Sequence, residues 1–182
     1  TNAYMSDASN WRTSSGGGTV SRFPLVQDDL IFDENSFTIT TTFTPNLSRF
    51  GSLTMSAVDQ SVSFTSQEIN CYGDFILGNR ITPNPNYPNY VNMLGRGNHV
   101  IDLAQKRLYS INFYGYRGSF TFMSDCSLAS VIDCDYYASI DFNDHNITAS
   151  QFILGRANGG PVYLGNGILE AYGSGDGHFG FS

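Results

Sequence analysis

The sequence has little charge and very little positive charge. Only 14% of its 182 residues are Asp, Glu, Lys or Arg, where about 25% is usual for a globular domain. The formal net charge is −7. Nucleic acids and anionic membranes both require a basic surface that neutralises phosphates. The composition therefore argues against either partner.

Cysteine is also scarce. The three cysteines, Cys71, Cys126 and Cys134, are too few for a disulfide framework. Because free cysteines are usually buried, we expect free thiols, and a bridge from Cys126 to Cys134 is the alternative. The sequence contains neither a CxxC pair nor a Cys/His cluster, so it does not predict a zinc site.

Long apolar runs and catalytic motifs are missing as well. No apolar stretch reaches the length of about 18 residues that indicates a membrane span. The sequence shows no Ser/His/Asp motif, phosphate loop or dinucleotide fingerprint. The three histidines have no metal-like spacing. The sequence therefore predicts no cofactor, no metal and no catalytic residue.

What the sequence does contain is a degenerate internal repeat. The stretch from Phe64 to Gly78 recurs from Phe142 to Gly155, with Phe64 and Phe142 lying 78 positions apart. Apolar residues occupy every second position before each copy, which is the period of a strand with one buried face. The polar tetrads that follow, 65–68 and 143–146, are rich in residues that turn the chain. We interpret them as corners.

Self-similarity of this kind predicts stacked supersecondary units. We therefore predict an all-β parallel β-helix, or solenoid, of about five to seven irregular coils, with Phe64 stacked near Phe142 along its axis. A β-sandwich of the jelly-roll type is the alternative, because short alternating strands and glycine turns also fit that fold.

The length of the chain suits one domain with a real core. We divide the single domain 1–182 into an N-terminal cap 1–22, coils 23–172, a projecting loop 81–92 within those coils and a glycine-rich tail 173–182. The loop holds three of the six prolines and is not expected to be a central strand. Trp11 is expected to cover the first coil, and a platform for stacking a sugar is the alternative role.

Two acidic groups carry competing hypotheses. Asp28, Asp29, Asp33 and Glu34 offer the hard oxygen ligands that Ca²⁺ prefers, but a hydrogen-bonded turn explains them more simply. The second group is close in sequence and would support glycoside hydrolysis if two of its carboxylates faced a groove about 5 to 9.5 Å apart. It consists of Asp133, Asp135 and Asp141.

Aromatic residues are densest between Tyr109 and Gly118. Alternation places Tyr109, Ile111 and Phe113 on one face of a strand, so Tyr114 belongs to the other face. Exposed tyrosines and arginine suit stacking on sugar rings and hydrogen bonding to hydroxyls, and ordinary packing is the alternative. The predicted ligand-binding residues are Tyr87, Tyr90, Tyr114, Tyr116, Arg117, Tyr136 and Tyr137.

Most of the chain resembles a known family. The residues that carry the resemblance are Asn10-Trp11, Ser15 to Gly18, Phe23-Pro24, Asp28-Asp29, Phe32-Asp33 and the later Gly51 to Met55. This order is similar to the start of β-solenoid proteins in tailed-phage tail appendages and bacterial surface proteins. The resemblance implies a right-handed parallel β-helix on a virion or outside a cell, and it transfers no catalytic residue.

The predicted function follows from that resemblance. We expect a non-enzymatic structural or receptor-binding component of a phage tail appendage that presents a rigid surface to a cell-surface glycan. Its partners would be other virion or surface-assembly proteins, without nucleic acid or membrane insertion, and a homotrimer would fit the role. A polysaccharide-degrading enzyme of the tailspike kind and a bacterial adhesin segment are the alternatives.

Overall fold

In a computed structural model, the chain forms a parallel β-solenoid of about six turns. The all-β, parallel prediction is confirmed, and the right hand of the coil stays a prediction. The part of the chain that the structure describes contains almost no helix, apart from a 3₁₀ turn at Ala8–Asn10. The described residues are 5–45, 47–65, 68–84, 89–135, 137–154, 160–173 and 179–181.

Each coil contributes three short strands, and the coils are numbered here in chain order. Coils 1 to 4 contain β1 (Leu30–Ile31), β2 (Thr41–Phe43), β3 (Arg49–Phe50), β4 (Leu53–Thr54), β5 (Val62–Phe64), β6 (Glu68–Cys71), β7 (Phe75–Ile76), β8 (Ile81–Pro83), β9 (Tyr90–Met93), β10 (Asn98–Asp102), β11 (Arg107–Leu108) and β12 (Ser110–Phe113). The remaining coils contain β13 (Ser119–Phe122), β14 (Cys126–Leu128), β15 (Val131–Cys134), β16 (Ser139–Asp141), β17 (Ile147–Ala149), β18 (Gln151–Leu154), β19 (Val162–Tyr163), β20 (Leu169–Ala171) and β21 (Phe179–Phe181).

Strands at equivalent places in successive coils pair in parallel and form the sides of the solenoid. Sheet I has the order β1-β4-β7-β10-β13-β16-β19, and sheet III has the order β3-β6-β9-β12-β15-β18-β21. The third side is divided between sheet II, β2-β5-β8, and sheet IV, β11-β14-β17-β20. In sheet I, register partners are 20 residues apart at Ser119 and Ser139 and 26 apart at Phe75 and Ile101.

Alternate side chains of each strand point inward and stack in rows along the axis. A single coil cannot bury its own apolar face, so each coil depends on its neighbours. Ile111 and Phe113 are both fully buried, as their alternation predicts. One continuous inward row in sheet III, with every member inaccessible to solvent, consists of Ile69, Val91, Ile111, Ile132 and Phe152.

The structure corrects the predicted stacking of Phe64 on Phe142. Phe64 ends β5 in sheet II, whereas Phe142 follows β16 of sheet I. The internal match therefore relates β5 to β16, which lie on different sides of the solenoid. Each coil has three strands, so strands on the same side are separated by a multiple of three, whereas β5 and β16 are eleven strands apart. Phe142 instead stacks on Phe122 of the preceding coil, with ring centroids 5.3 Å apart.

The prediction of one projecting loop over 81–92 is also wrong, because strands occupy both ends of this segment. Ile81–Pro83 is β8, which lies at the edge of sheet II, where a proline is tolerated. Tyr90–Met93 is β9, which pairs on both sides within sheet III. The segment 81–92 therefore begins and ends in paired strands of the solenoid.

Trp11 packs at the N-terminal end of the solenoid. Its ring meets Phe32 edge to face at 5.6 Å, and its indole Nε1 donates a hydrogen bond of 2.7 Å to the carbonyl oxygen of Met5. Met5 is buried with the core. These contacts agree with packing rather than sugar stacking for Trp11, and the extent of the cap, 1–22, stays a prediction.

The three cysteines are free and buried, as expected. Cys71 lies between Phe50 and Met93 in an inward row of sheet III, so it serves as a small apolar side chain. Burial raises the pKa of the Cys71, Cys126 and Cys134 thiols to about 12. Because Cys126 and Cys134 are both free thiols, the alternative bridge between them is wrong.

Candidate functional site: an exposed tyrosine–arginine corner

Three of the predicted ligand-binding residues meet where the chain turns from sheet III to sheet I. After β12, a tight turn is closed by a 2.9 Å hydrogen bond from the amide of Gly118 to the carbonyl oxygen of Gly115. Tyr116 and Arg117 are the two central residues of this turn, and both are exposed. Arg117 has φ +59°, a left-handed conformation that turns the chain sharply. The turn therefore projects both side chains into solvent.

The next coil repeats this turn after β15. The amide of Ala138 donates a 3.2 Å hydrogen bond to the carbonyl oxygen of Asp135. Tyr137 is a central residue with φ +62°, and its side chain is 48% exposed. The rings of Tyr116 and Tyr137 meet edge to face at 5.5 Å. Two neighbouring coils thus form one aromatic pair on the surface.

Arg96 of the preceding corner joins this pair, although sequence reasoning did not single it out. Asn98, Ser119 and Ser139 are register partners at the start of β10, β13 and β16. Arg96 and Arg117 each stand two residues before such a partner, as Tyr137 does before Ser139. Arg96 could have been predicted only if the alignment of successive coils had been known, and the sequence does not reveal that alignment.

Both guanidinium groups lie against the ring of Tyr116. The Cζ atom of Arg96 is 6.0 Å from the ring centroid, and that of Arg117 is 5.3 Å away. These distances fall within the range of a cation–π contact. We call the set Arg96, Tyr116, Arg117 and Tyr137 the tyrosine–arginine corner.

Glycine makes the close stacking of these corners possible. A Cβ atom on Gly115 would lie 2.1 Å from the carbonyl oxygen of Gly95, and one on Gly118 would lie 2.2 Å from the same oxygen. Real side chains do not approach a backbone this closely. The corners before β10 and β13 are therefore in direct backbone contact, which holds Tyr116 and Arg117 in a fixed place.

Tyr114 and Tyr90 lie outside the tyrosine–arginine corner. Tyr114 points away from the core, as predicted, and its hydroxyl lies 3.4 Å from Oδ2 of Asp133 on the outer side of sheet III. Tyr90 begins β9, at the opposite end of the sheet III strands, and its ring meets that of Tyr109 at 5.1 Å. Hydrogen bonding with Tyr109 raises the pKa of Tyr90. The predicted residues Tyr87 and Tyr136 lie outside the described part of the chain.

The outer side of sheet III beside Tyr114 carries a polar ladder. The side-chain amide of Asn112 donates to Oδ1 of Asn92 at 2.8 Å, and the side-chain amide of Asn92 donates to Oδ1 of Asn70 at 3.2 Å. Asn92 also donates to Oε1 of Glu68 at 2.9 Å. Stacked amides satisfy one another and stiffen the sheet. This surface therefore has a structural explanation.

The acids Asp133, Asp135 and Asp141 do not share one strand face. Asp133 belongs to β15 in sheet III and is buried, with 7% of its surface exposed. Asp141 belongs to β16 in sheet I, where its Oδ1 accepts a 2.9 Å hydrogen bond from the amide of Asn143. A turn of the chain separates the two strands. Asp133 and Asp141 therefore lie on different sides of the solenoid.

The acidic group near the N-terminus is engaged in local hydrogen bonds. Asp33 Oδ1 accepts from the Asn35 amide at 3.0 Å and from the Ser36 hydroxyl at 2.9 Å, which is an Asx-type turn. Asp28 pairs with Arg22, and this contact lowers the pKa of Asp28 to about 2. No cluster of three metal-ligating side chains occurs among the described residues. The turn interpretation is therefore the better one.

A cleft of about 690 Å³ lies near this acidic group. Trp11, Asp29, Phe32 and Asp33 are among the residues that line it. Oδ1 of Asp29 accepts a 2.8 Å hydrogen bond from the amide of Ser52 in the next coil. This bond joins the residues just before β1 to the next coil.

The chain matches no family model, no curated protein and no solved structure. The class that the strand pairing defines is the parallel β-solenoid. In the described residues there is no helix with the length and apolar character needed to cross a membrane.

Proposed function

We propose that this protein is a non-enzymatic β-solenoid that binds a cell-surface glycan through its tyrosine–arginine corner. The observation that carries the proposal is the exposed pair of Tyr116 and Tyr137, which are 45% and 48% exposed and 5.5 Å apart. Aromatic rings that stay exposed next to each other, on a surface that could have been polar, are typical of binding sites. Sugar rings have apolar faces that stack on such side chains.

The rigidity of the corner supports binding. Each tyrosine is in a hydrogen-bonded turn, and the glycines beside Tyr116 pack directly against the backbone of Gly95. A site that is already ordered loses less conformational entropy when the ligand binds. Several copies in an assembly would add avidity to a weak single site.

The biological setting that fits is a phage tail appendage, in which the protein is a structural or receptor-binding component. This setting is supported by the resemblance of the N-terminal residues to such β-solenoid proteins, and by a composition low in charge. It places the protein on a virion or outside a cell, with other virion or surface-assembly proteins as partners. A homotrimer suits this role.

A glycan-binding experiment tests the proposal. The purified chain is applied to an array of bacterial and host glycans, together with the double variant Tyr116→Ala/Tyr137→Ala. Loss of both rings is expected to weaken binding by about tenfold or more, because each ring buries apolar surface against the sugar. Tyr163→Ala is the matched control, since Tyr163 is 58% exposed on β19 and makes no ring contact with Tyr116 or Tyr137.

Two outcomes would overturn the proposal. The first is equal binding by the double variant and the Tyr163→Ala control, and the second is binding to no glycan at all. Each bound polysaccharide is also incubated with the protein and assayed for new reducing ends. Their appearance would favour the tailspike-type enzyme instead, and their absence together with corner-dependent binding supports a non-catalytic role.

A further inference from the structure

The tyrosine–arginine corner concentrates positive charge in an acidic protein. Arg96 and Arg117 occupy equivalent positions of adjacent coils, and neighbouring strands are about 4.8 Å apart. Both side chains are exposed, and the net charge of the chain is −7. The two arginines therefore form a positively charged patch on a protein whose net charge is negative.

Neither arginine is neutralised by a carboxylate in the described part of the chain. The ion pairs found there join Arg22 to Asp28, His99 to Asp74 and His145 to Asp125. Tyr116 contacts both guanidinium groups through its ring, which is not a carboxylate and carries no charge to neutralise them. Two guanidinium charges that share one tyrosine ring repel each other, and a bound anion lowers that cost.

We propose that the glycan bound at this corner is acidic and carries carboxylates on its sugar rings, as uronic and sialic acids do. The proposal rests on the proposed function and names the ligand class of the same site. A planar guanidinium group donates two parallel hydrogen bonds to a carboxylate, and this geometry distinguishes arginine from lysine. The exposed parts of Tyr116 and Tyr137 contact the sugar rings while Arg96 and Arg117 bind their carboxylates.

The test uses matched acidic and carboxyl-reduced polysaccharides. Polygalacturonate and a polysialic acid are each compared with a form in which the carboxyl groups have been reduced to alcohols, which removes charge and keeps the ring. Dextran serves as a neutral probe and dextran sulfate as a sulfated probe without carboxylates. Binding is measured by titration calorimetry at low and at physiological salt, because an ionic contribution weakens with ionic strength.

The variants separate charge from geometry. Arg96→Gln and Arg117→Gln are each expected to weaken binding of the acidic polysaccharide by about tenfold, and the double variant by more. Arg117→Lys keeps the charge but loses the planar fork, so it is expected to fall between the wild type and Arg117→Gln. Arg49→Gln, an exposed arginine on β3, is the matched control and is expected to bind as the wild type does.

The outcomes distinguish this inference from the proposed function. Equal binding of acidic and carboxyl-reduced polysaccharide, still lost in Tyr116→Ala/Tyr137→Ala, would leave the glycan-binding function standing and overturn the acidic ligand. Binding to dextran sulfate alone would overturn the recognition of carboxylates and indicate a sulfated ligand. Failure to bind any of the probes would overturn the acidic-glycan inference, and with it the proposed function if the array is silent as well.

Discussion

The amide of Ser119 donates a 2.9 Å hydrogen bond to the carbonyl oxygen of Gly97, which directly joins the corners that precede β13 and β10. An equivalent bond recurs one coil later, where the amide of Ser139 donates to the carbonyl oxygen of Gly118 at 2.8 Å. Corners of successive coils are thus paired like the strands they connect. Side chains projecting from these corners inherit the axial spacing of the sheets, which is why exposed residues far apart in sequence form one surface.

Gly115→Ala is expected to destabilise the protein by about 1–3 kcal/mol, as overpacking usually does. The new Cβ would lie 2.1 Å from the carbonyl oxygen of Gly95, so two backbones would have to separate. Gly97→Ala is the control, since the nearest atom to its Cβ would be His99 Nε2 at 3.4 Å, and it is expected to change stability by less than about 1 kcal/mol. Urea unfolding followed by circular dichroism measures both, and equal midpoints would contradict close contact between the corners.

Phe122 and Phe142 are fully buried and stacked, so removing either ring should be costly. Phe122→Ala or Phe142→Ala is expected to cost about 3–5 kcal/mol, and the milder Phe122→Leu less. A double-mutant cycle with the Leu variants should show a coupling of about 0.5–1.5 kcal/mol for the ring pair. Additive effects would mean that the two rings do not meet in solution.

Part of this fold could be predicted from the sequence, because alternation is a local property. The inward rows that contain Ile111 and Phe113 follow from it, and so does the outward direction of Tyr114. The corner at 143–146 was also predicted, and Asn143 and Asp144 there have φ +49° and +63°. Tyr109 departs from the pattern, since it lies in the sharp bend between β11 and β12 and packs on Tyr90 instead of the core.

The coil register could not be predicted in the same way. A strand followed by a corner has a similar pattern on each side of the solenoid, so the match of Phe64 with Phe142 does not identify which sides correspond. Without the register, Arg96 could not be placed beside Tyr116, and segment 81–92 looked like one loop because of its prolines. The correspondence of sides, the place of Arg96 and the strands within 81–92 all depend on pairing between strands about 20 residues apart.

The buried thiols predict a dependence of stability on alkaline pH. The pKa of Cys71 is about 12 in the folded chain and about 8.5 in an unfolded one. A pKa raised by folding gives stability that is fully present below pH 8.5 and is lost as the pH rises through 12. Urea midpoints should therefore fall between about pH 9 and pH 11, and less steeply in Cys71→Ala than in the wild type.

The same thiols should resist chemical modification. A thiol reagent at pH 8 is expected to label none of the three cysteines in the native protein and all three after unfolding, because all are buried and free. The melting temperature should not change when a reducing agent is added. Rapid labelling of the native protein, or a shift on reduction, would contradict the buried and unbridged state.

Trp11, the only tryptophan of the chain, predicts that the N-terminal segment opens before the coils. It contacts Phe32 and Met5 only at the end of the solenoid, and in stacked folds each unit is held by its neighbours alone. Urea should therefore change Trp11 fluorescence at a lower concentration than it changes the circular dichroism of the strands.

Trp11→Ala is expected to lower the free energy of unfolding by about 1–3 kcal/mol, since the ring is only partly buried. Trp11→Phe is expected to lower it by about 1 kcal/mol, because the hydrogen bond to the carbonyl oxygen of Met5 is lost. Coincident transitions, together with an unchanged circular dichroism midpoint in Trp11→Ala, would mean that this residue does not help to cover the first coil.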